Sequence, residues 1–312
     1  MKVLLAVDGS DASMSAVAAT AALALPPDSS IVVVTVIPDS FAPEGSHWPN
    51  VIRMDPPTDR ERVRADVRDR LLAIADRLRS GTTTVDIGVL EGRPATEIVT
   101  EAARSAADLI VVGARGLSAV RRLLIGSVSS EVVDHAPCPV LIARHGAVER
   151  IILATDGSPG AAEATRFVAE SGLFDEAEIH VLSVADPGMP WWSGISPLDG
   201  ATSMELYEDA VEHAQGRARQ AADEAAAELR ELRVVQTSAV PEGDVVSAIL
   251  EAAASDRTDL IVVGARNMGT LHRWLVGSVS RSIVHLADAS VLVVRSRTEP
   301  APRKEATTVG TA

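Results

Sequence analysis

Several residue types are scarce in this chain, and each scarcity removes a class of function. Cys138 is the single cysteine, which excludes an internal disulfide framework and a cysteine-cluster zinc site. Lysine occurs only at Lys2 and Lys304, so there is no GxxxxGK[ST] phosphate loop and no lysine inside a domain to form a Schiff base. Only eight residues are aromatic (3 Phe, 4 Trp, 1 Tyr) and the net charge is −14, so the basic footprint and stacking platforms of most nucleic-acid binders are missing. The seven histidines include no HxxxH pair, which gives a histidine metal site little support. No apolar run approaches the roughly 20 residues that cross a bilayer. The N-terminal MKVLLAVDGS meets Asp8 too soon for a signal peptide, so a cytoplasmic protein with no membrane and no nucleic-acid partner is expected.

What is present is enough apolar material for buried cores, at 46% hydrophobic and 23% charged residues. A length of 312 residues suggests two domains. Acid is spread unevenly, with 15 basic against 18 acidic residues in 1–146 and 14 against 25 in 147–312.

The chain also repeats itself. LEGRPATEIVTEAARSAADLIVVGARG (90–116) realigns with PEGDVVSAILEAAASDRTDLIVVGARN (241–267) at an offset of 151. LLIGSVSSEVVDHAPCPVLIAR (123–144) matches WLVGSVSRSIVHLADASVLVVR (274–295) at the same offset. VLLAVDGS (3–10) pairs with IILATDGS (151–158) at 148. Two copies of one domain, 1–145 and 148–296, are joined near RHGAVER (144–150) and followed by a tail, 298–312, of disordered composition.

In the first copy, Val/Ile/Leu-rich runs predict strands at about 2–7, 31–37, 84–89, 108–113 and 139–143. Helical patterns lie between them at about 12–24, 60–80, 95–106 and 127–136, and the second copy has a long one at about 203–232. Strands without strict alternation are covered by helices on both faces. The fold class is therefore α/β: two tandem doubly wound domains, each a five-stranded parallel sheet flanked by helices.

In such sheets ligands bind beyond the carboxyl ends of the strands, where strand order reverses. Asp8 within VDGS, Val36 at the end of the second strand and GARG (113–116) arrive there, and Gly126-Ser127-Val128-Ser129 opens the last helix. Gly113 and Gly116 permit close backbone approach and positive φ. Gly126 and the hydroxyls of Ser127 and Ser129 stand at a helix N-terminus, where the dipole favours an anion. Arg115, Arg121 and Arg122 add positive charge, unless the latter two are solvated surface charges. Asp8 has a second reading as the cap of the following helix.

The G-x2-G-x9-G-[ST] spacing, after DLIVVG and an early VDGS turn, resembles the universal stress protein family over nearly the whole chain, as two tandem copies. The resemblance implies an adenine nucleotide alpha-hydrolase-like fold and ATP, or another adenine nucleotide, bound with a divalent cation such as Mg2+. It implies that Asp8 contacts the adenine and that Val36 lines the base pocket. Gly113, Arg115, Gly116, Gly126, Ser127, Val128 and Ser129 would surround ribose and phosphates. In the second copy Asp156, Val184, Gly264, Gly277, Ser278, Val279 and Ser280 correspond, but Asn267 replaces the second glycine. Arg266 and Arg273 remain there, Gly269 lies two residues beyond Asn267, and His272 replaces Arg121.

Cys138, between two prolines, reads as a small residue entering a strand. The proline-rich stretches 38–59 and 186–202, with Trp48, Trp191 and Trp192, read as surface connectors or as lids beside the nucleotide. An ATP-binding regulatory module of the stress response is expected, acting through an unknown protein partner. Intrachain pairing of the two domains through their last strands and further dimerisation of chains are expected as well. A slow ATPase and a nucleotide-free scaffold are the alternatives. No catalytic base or in-line nucleophile is apparent, so enzymatic activity is expected to be at most weak.

Overall fold

The computed structural model describes residues 1–38, 58–114, 125–187, 200–240, 244–265 and 277–295. LIVVG occurs at 109–113 and again at 260–264, and all but the last residue of the second copy are buried. A run buried on both faces gains from every side chain, roughly 1.5–3 kcal/mol for each large aliphatic one, so these runs become the inner strands.

The first half runs β1 (Lys2–Ala6), α1 (Asp11–Ala22), β2 (Ser30–Ile37), α2 (Thr58–Leu78), β3 (Thr84–Glu91), α3 (Pro94–Ser105), β4 (Leu109–Gly113), α4 (Ser127–His135) and β5 (Val140–Ala143). The second half repeats it as β6 (Arg150–Ala154), α5 (Pro159–Glu170), β7 (Glu178–Val184), α6 (Gly200–Glu228), β8 (Val234–Val240), α7 (Val245–Ser255), β9 (Leu260–Gly264), α8 (Ser278–Leu286) and β10 (Ser290–Val294).

All ten strands form one sheet in the order β3-β2-β1-β4-β5-β10-β9-β6-β7-β8. Each half is parallel, and β5 and β10 meet antiparallel, with Val140, Leu141 and Ile142 opposite Val293, Leu292 and Val291. Leu141 and Leu292 are equivalent residues of the two copies, so a local twofold relation passes between them. The expected pairing of the last strands within one chain is thus present. Val17 of α1, Leu71 of α2, Val168 of α5 and Ala222 of α6 pack on one face of the sheet. Ile98 of α3, Val132 of α4, Ile249 of α7 and Ile283 of α8 pack on the other.

Element ends differ from expectation by a few residues, for local reasons. α1 stops at Ala22 rather than 24, because Leu23 is extended and a tight Leu25 N–H to Leu23 carbonyl bond turns the chain ahead of Pro26. β3 continues to Glu91 because β2 still offers a partner there, Ile37. α6 ends at Glu228, where the Leu232 N–H bonds back to Leu229 in a closing turn.

Candidate functional site

The two faces of the sheet meet functionally at its carboxyl edge. β1 lies between β2 and β4, and the helices leaving β1 and β4, α1 and α4, pack on opposite faces. The crevice between such helices is where an open α/β sheet admits a ligand. Asp8 follows β1, Val36 is the penultimate residue of β2, Gly113 ends β4 and Gly126 precedes α4. Asp156, Val184, Gly264 and Gly277 repeat the arrangement in the second half.

The Asp8 carboxylate accepts two hydrogen bonds through Oδ1, from the Ser10 backbone N–H at 3.0 Å and the Ser10 hydroxyl at 2.6 Å. Ser10, not Asp8, caps α1, its Oγ accepting from the Ser13 N–H at 3.2 Å. The alternative reading of Asp8 as the cap is thereby corrected: Asp8 fixes the turn that sets the cap. Gly9 makes that turn possible with φ +79°, and Gly157 does the same with φ +72°. Asp156 accepts from the Ser158 N–H at 2.9 Å, and Ser158 caps α5. Asp8 and Val36 are half-buried, Val184 likewise, whereas Asp156 is exposed.

Gly113 has a different reason for being glycine than the expected one. Its backbone is extended strand, and a Cβ built there would lie 2.5 Å from the Ala12 carbonyl oxygen. The close approach is therefore made by the start of α1. At Gly264 the added Cβ would collide with the Gly160 carbonyl oxygen, in the corresponding place on α5. Both glycines set helix–strand packing beside the site.

The helices opening at the crevice both start on glycine. Gly126 and Gly277 occupy the N-cap positions of α4 and α8, neither helix has a side-chain cap, and neither carries an acid in its first turn. By contrast α1, α5 and α7 are capped by the side chains of Ser10, Ser158 and Asp244, and α3, which starts at Arg93 without a side-chain cap, carries Glu97 in its first turn. The first-turn N–H groups of α4 and α8 thus open at the crevice with no side-chain cap among the described residues, at the positive end of the helix dipole.

The serines divide in role. Ser127 and Ser278 are exposed in the first turn. Ser129 is buried and its hydroxyl donates to the Gly113 carbonyl at 2.6 Å, while Ser280 donates to Gly264 at 2.7 Å. Each of these two hydroxyls gives its one proton inward, which pins the helix start to the strand end. The Gly126 N–H adds a 2.7 Å bond to the Ala114 carbonyl. Val128 and Val279 are half-buried against the core behind the helix starts.

Arg115, Gly116, Arg121 and Arg122 lie outside the described residues, as do Arg266, Asn267, Gly269, His272, Arg273, Trp48, Trp191, Trp192 and the tail 298–312. Among the described residues no group of three or more His, Cys, Asp or Glu is placed to hold a metal ion. Cys138 is buried, in keeping with a packing role. No helix of the described residues is long and apolar enough to cross a membrane.

Two arginines that the sequence reading passed over join the halves. Arg144, after β5, donates to the Val284 carbonyl at 2.6 Å and the Ala289 carbonyl at 3.3 Å, at and beyond the C-terminal end of α8. Arg295, after β10, donates to the Ala136 carbonyl at 2.9 Å and to that of Val133 at the end of α4. Burial lowers the Arg295 pKa to about 10. The available signal was the repeat itself, since both arginines end the matched segments at an offset of 151.

Comparison with known proteins gives this architecture a context. The family model described as the universal stress protein family matches residues 1–144 and 147–295. A universal stress protein of Thermus aquaticus is 37% identical over 145 residues, which span 46% of this chain and 97% of that protein. One from Mycolicibacterium smegmatis is 31% identical over 203 residues, 62% of this chain and 64% of that one. Among solved structures, a universal stress protein from Archaeoglobus fulgidus superposes with a TM-score of 0.60 at 19% identity, covering 94% of this chain and 98% of the other, so the fold is shared across both halves.

Proposed function

We propose, since this chain belongs to the universal stress protein family, that it is a regulatory module that binds ATP or another adenine nucleotide and passes its nucleotide state to a protein partner in the stress response. The observation that carries this reading is the pair of helix starts at Gly126 and Gly277, which have neither a side-chain cap nor a first-turn acid, whereas α1, α5 and α7 are capped and the uncapped α3 carries Glu97 in its first turn. Phosphate oxygens supply the acceptors that these N–H groups lack. Each charge-assisted bond contributes about 1.5–3 kcal/mol.

In this reading Asp8, held by Ser10, receives the adenine amino group. Ser127, Val128 and the loop with Arg115 and Gly116 enclose ribose and phosphates. Gly113 and Ser129 position the helix behind them. Asp156, Val184, Gly264, Ser278, Val279 and Ser280 take the same places in the second half. A divalent cation would arrive on the phosphates, which neutralises charge that an acidic chain would otherwise repel. We assign no catalytic residue at the nucleotide site, and ATP hydrolysis is proposed to be weak at most. A chain–chain dimer, if formed by strand pairing, must use the outer strands β3 or β8, because β5 and β10 already pair with each other.

Mass spectrometry of small molecules released when freshly purified protein is denatured tests the reading, followed by calorimetric titration with ATP, ADP and AMP. The expected result is a retained adenine nucleotide or micromolar binding that Gly126→Asp weakens. No retained nucleotide and no heat up to millimolar concentration would leave the scaffold alternative standing.

A further inference from the structure

The second half holds a polar cluster away from the carboxyl-edge site. His180, on β7, is 6% exposed. A buried imidazole needs partners for both ring nitrogens, and both have them. Nδ1 lies 2.7 Å from Asp256 Oδ2, and Nε2 lies 2.6 Å from Ser238 Oγ. A carboxylate only accepts, so Nδ1 carries a hydrogen toward Asp256, and in the neutral ring Nε2 is left to accept from the Ser238 hydroxyl. Ser238 is half-exposed on β8, and Asp256 is the C-cap of α7 with its side chain 35% exposed. The nucleophile position therefore opens outward while the histidine is enclosed.

The first half has none of the three. His180 pairs with Ile152 where Val32 pairs with Leu4, and Ser238 faces Leu182 where Gly88 faces Val34. Asp256 corresponds to Ser105 at the offset of 151. Packing between sheet and helix is thus achieved in the first half by an aliphatic residue, without desolvating an imidazole. An apolar residue of similar volume serves stability as well as a buried polar network does, or better. All three polar groups stand together in one half, in hydrogen-bonded order, which is the arrangement nucleophilic catalysis requires.

We propose that Ser238 is a nucleophile, His180 its general base and Asp256 the carboxylate that orients the ring, and that the site takes small activated acyl esters. Ser238 Oγ attacks the ester carbonyl carbon and its proton passes to His180 Nε2. The carbon–oxygen bond to the alcohol then breaks, and His180 returns the proton to the departing alkoxide. A water molecule, deprotonated in the same way, cleaves the acyl–serine bond, releases the carboxylic acid and restores the Ser238 hydroxyl. β8 ends the sheet among the described residues, which leaves backbone N–H groups on its outer edge for a developing oxyanion to recruit.

A fluorophosphonate probe tests this on the intact chain, since its phosphorus is attacked by an activated serine with loss of fluoride. The expected result is a label on the peptide containing Ser238 in the native protein. It should fall at least tenfold in urea-unfolded protein and in Asp256→Asn, a change at a partly exposed group, and vanish in Ser238→Ala. Turnover of p-nitrophenyl acetate should fall with it. Absence of label at Ser238 in the native protein overturns the proposal, as does equal labelling in the native, unfolded and Asp256→Asn samples.

Discussion

Arg144 and Arg295 make the same contact in opposite directions. Arg144 crosses from the first half to the Val284 carbonyl of α8, and Arg295 crosses from the second half to the Val133 carbonyl of α4. The carbonyls are equivalent positions, as the arginines are. Each half therefore holds, by its negative end, the helix whose positive end opens the other half's candidate site. Arg295→Met keeps the aliphatic stem and removes the donors. It should lower stability by about 1–3 kcal/mol, the range for hydrogen bonds to a charged group offset by relief of charge burial. Arg144→Met, at a half-exposed position, should cost less. Urea unfolding of the two variants gives the order, and an unchanged midpoint for Arg295→Met would contradict it.

Gly126→Asp separates folding from binding. Aspartate is at least as good an N-cap as glycine, so the helix should be as stable or slightly more so. Its carboxylate would take the first-turn N–H groups and repel phosphate, so nucleotide affinity should drop at least tenfold. Thermal unfolding read beside calorimetry decides it. Unchanged affinity places the phosphates elsewhere.

Gly113→Ala should act through packing instead. The new Cβ would stand 2.5 Å from the Ala12 carbonyl oxygen, so α1 must shift. A loss of about 1–3 kcal/mol, typical of overpacking, is expected in protein stripped of nucleotide. Ser129→Ala, which releases the Gly113 carbonyl inside the core, should also destabilise the ligand-free chain, by about 1 kcal/mol. Full stability of both variants would return these residues to a ligand-contacting role.

The first half should bind ATP more tightly than the second. Asn267 stands where the first half has Gly116, and one displaced hydrogen bond or blocked backbone approach is worth about 1–3 kcal/mol, roughly ten- to a hundredfold. Asn267→Gly should strengthen the weaker site in a two-site titration. Two equal sites in the parent, or no gain in the variant, counts against the premise.

The sequence carried the strands to within a residue or two because runs such as LIVVG and VLIA have few alternatives in a sheet covered on both faces. The intrachain seam was readable from the repeat, given that two exposed last strands need partners. What Gly113 touches was not readable, because the neighbour is the backbone of Ala12, about a hundred residues away and carrying no side-chain signal. The direction of the Ser129 hydroxyl was hidden for the same reason: SVSS shows three hydroxyls, and only packing sends that of Ser129 inward. His180, Ser238 and Asp256 are 58 and 76 residues apart from the histidine outward, and no local spacing links them. Setting the halves side by side at His180 and Val32 was the one comparison that would have raised the question.

The antiparallel seam of β5 and β10 also bears on how the molecule can diversify. In a symmetric pair of identical chains, every substitution is made twice, and a residue that suits one site but harms the other is lost. Here the partners are held in one chain by a connection of only six residues, 144–149, between Ala143 and Arg150. Neither half can be exchanged for a copy of the other, and the short tether keeps the seam formed at any protein concentration. One half is thereby free to keep a glycine at 116 and a valine at 32 while the other carries Asn267 and His180, so that two unlike surfaces are delivered in a fixed one-to-one ratio on a single sheet.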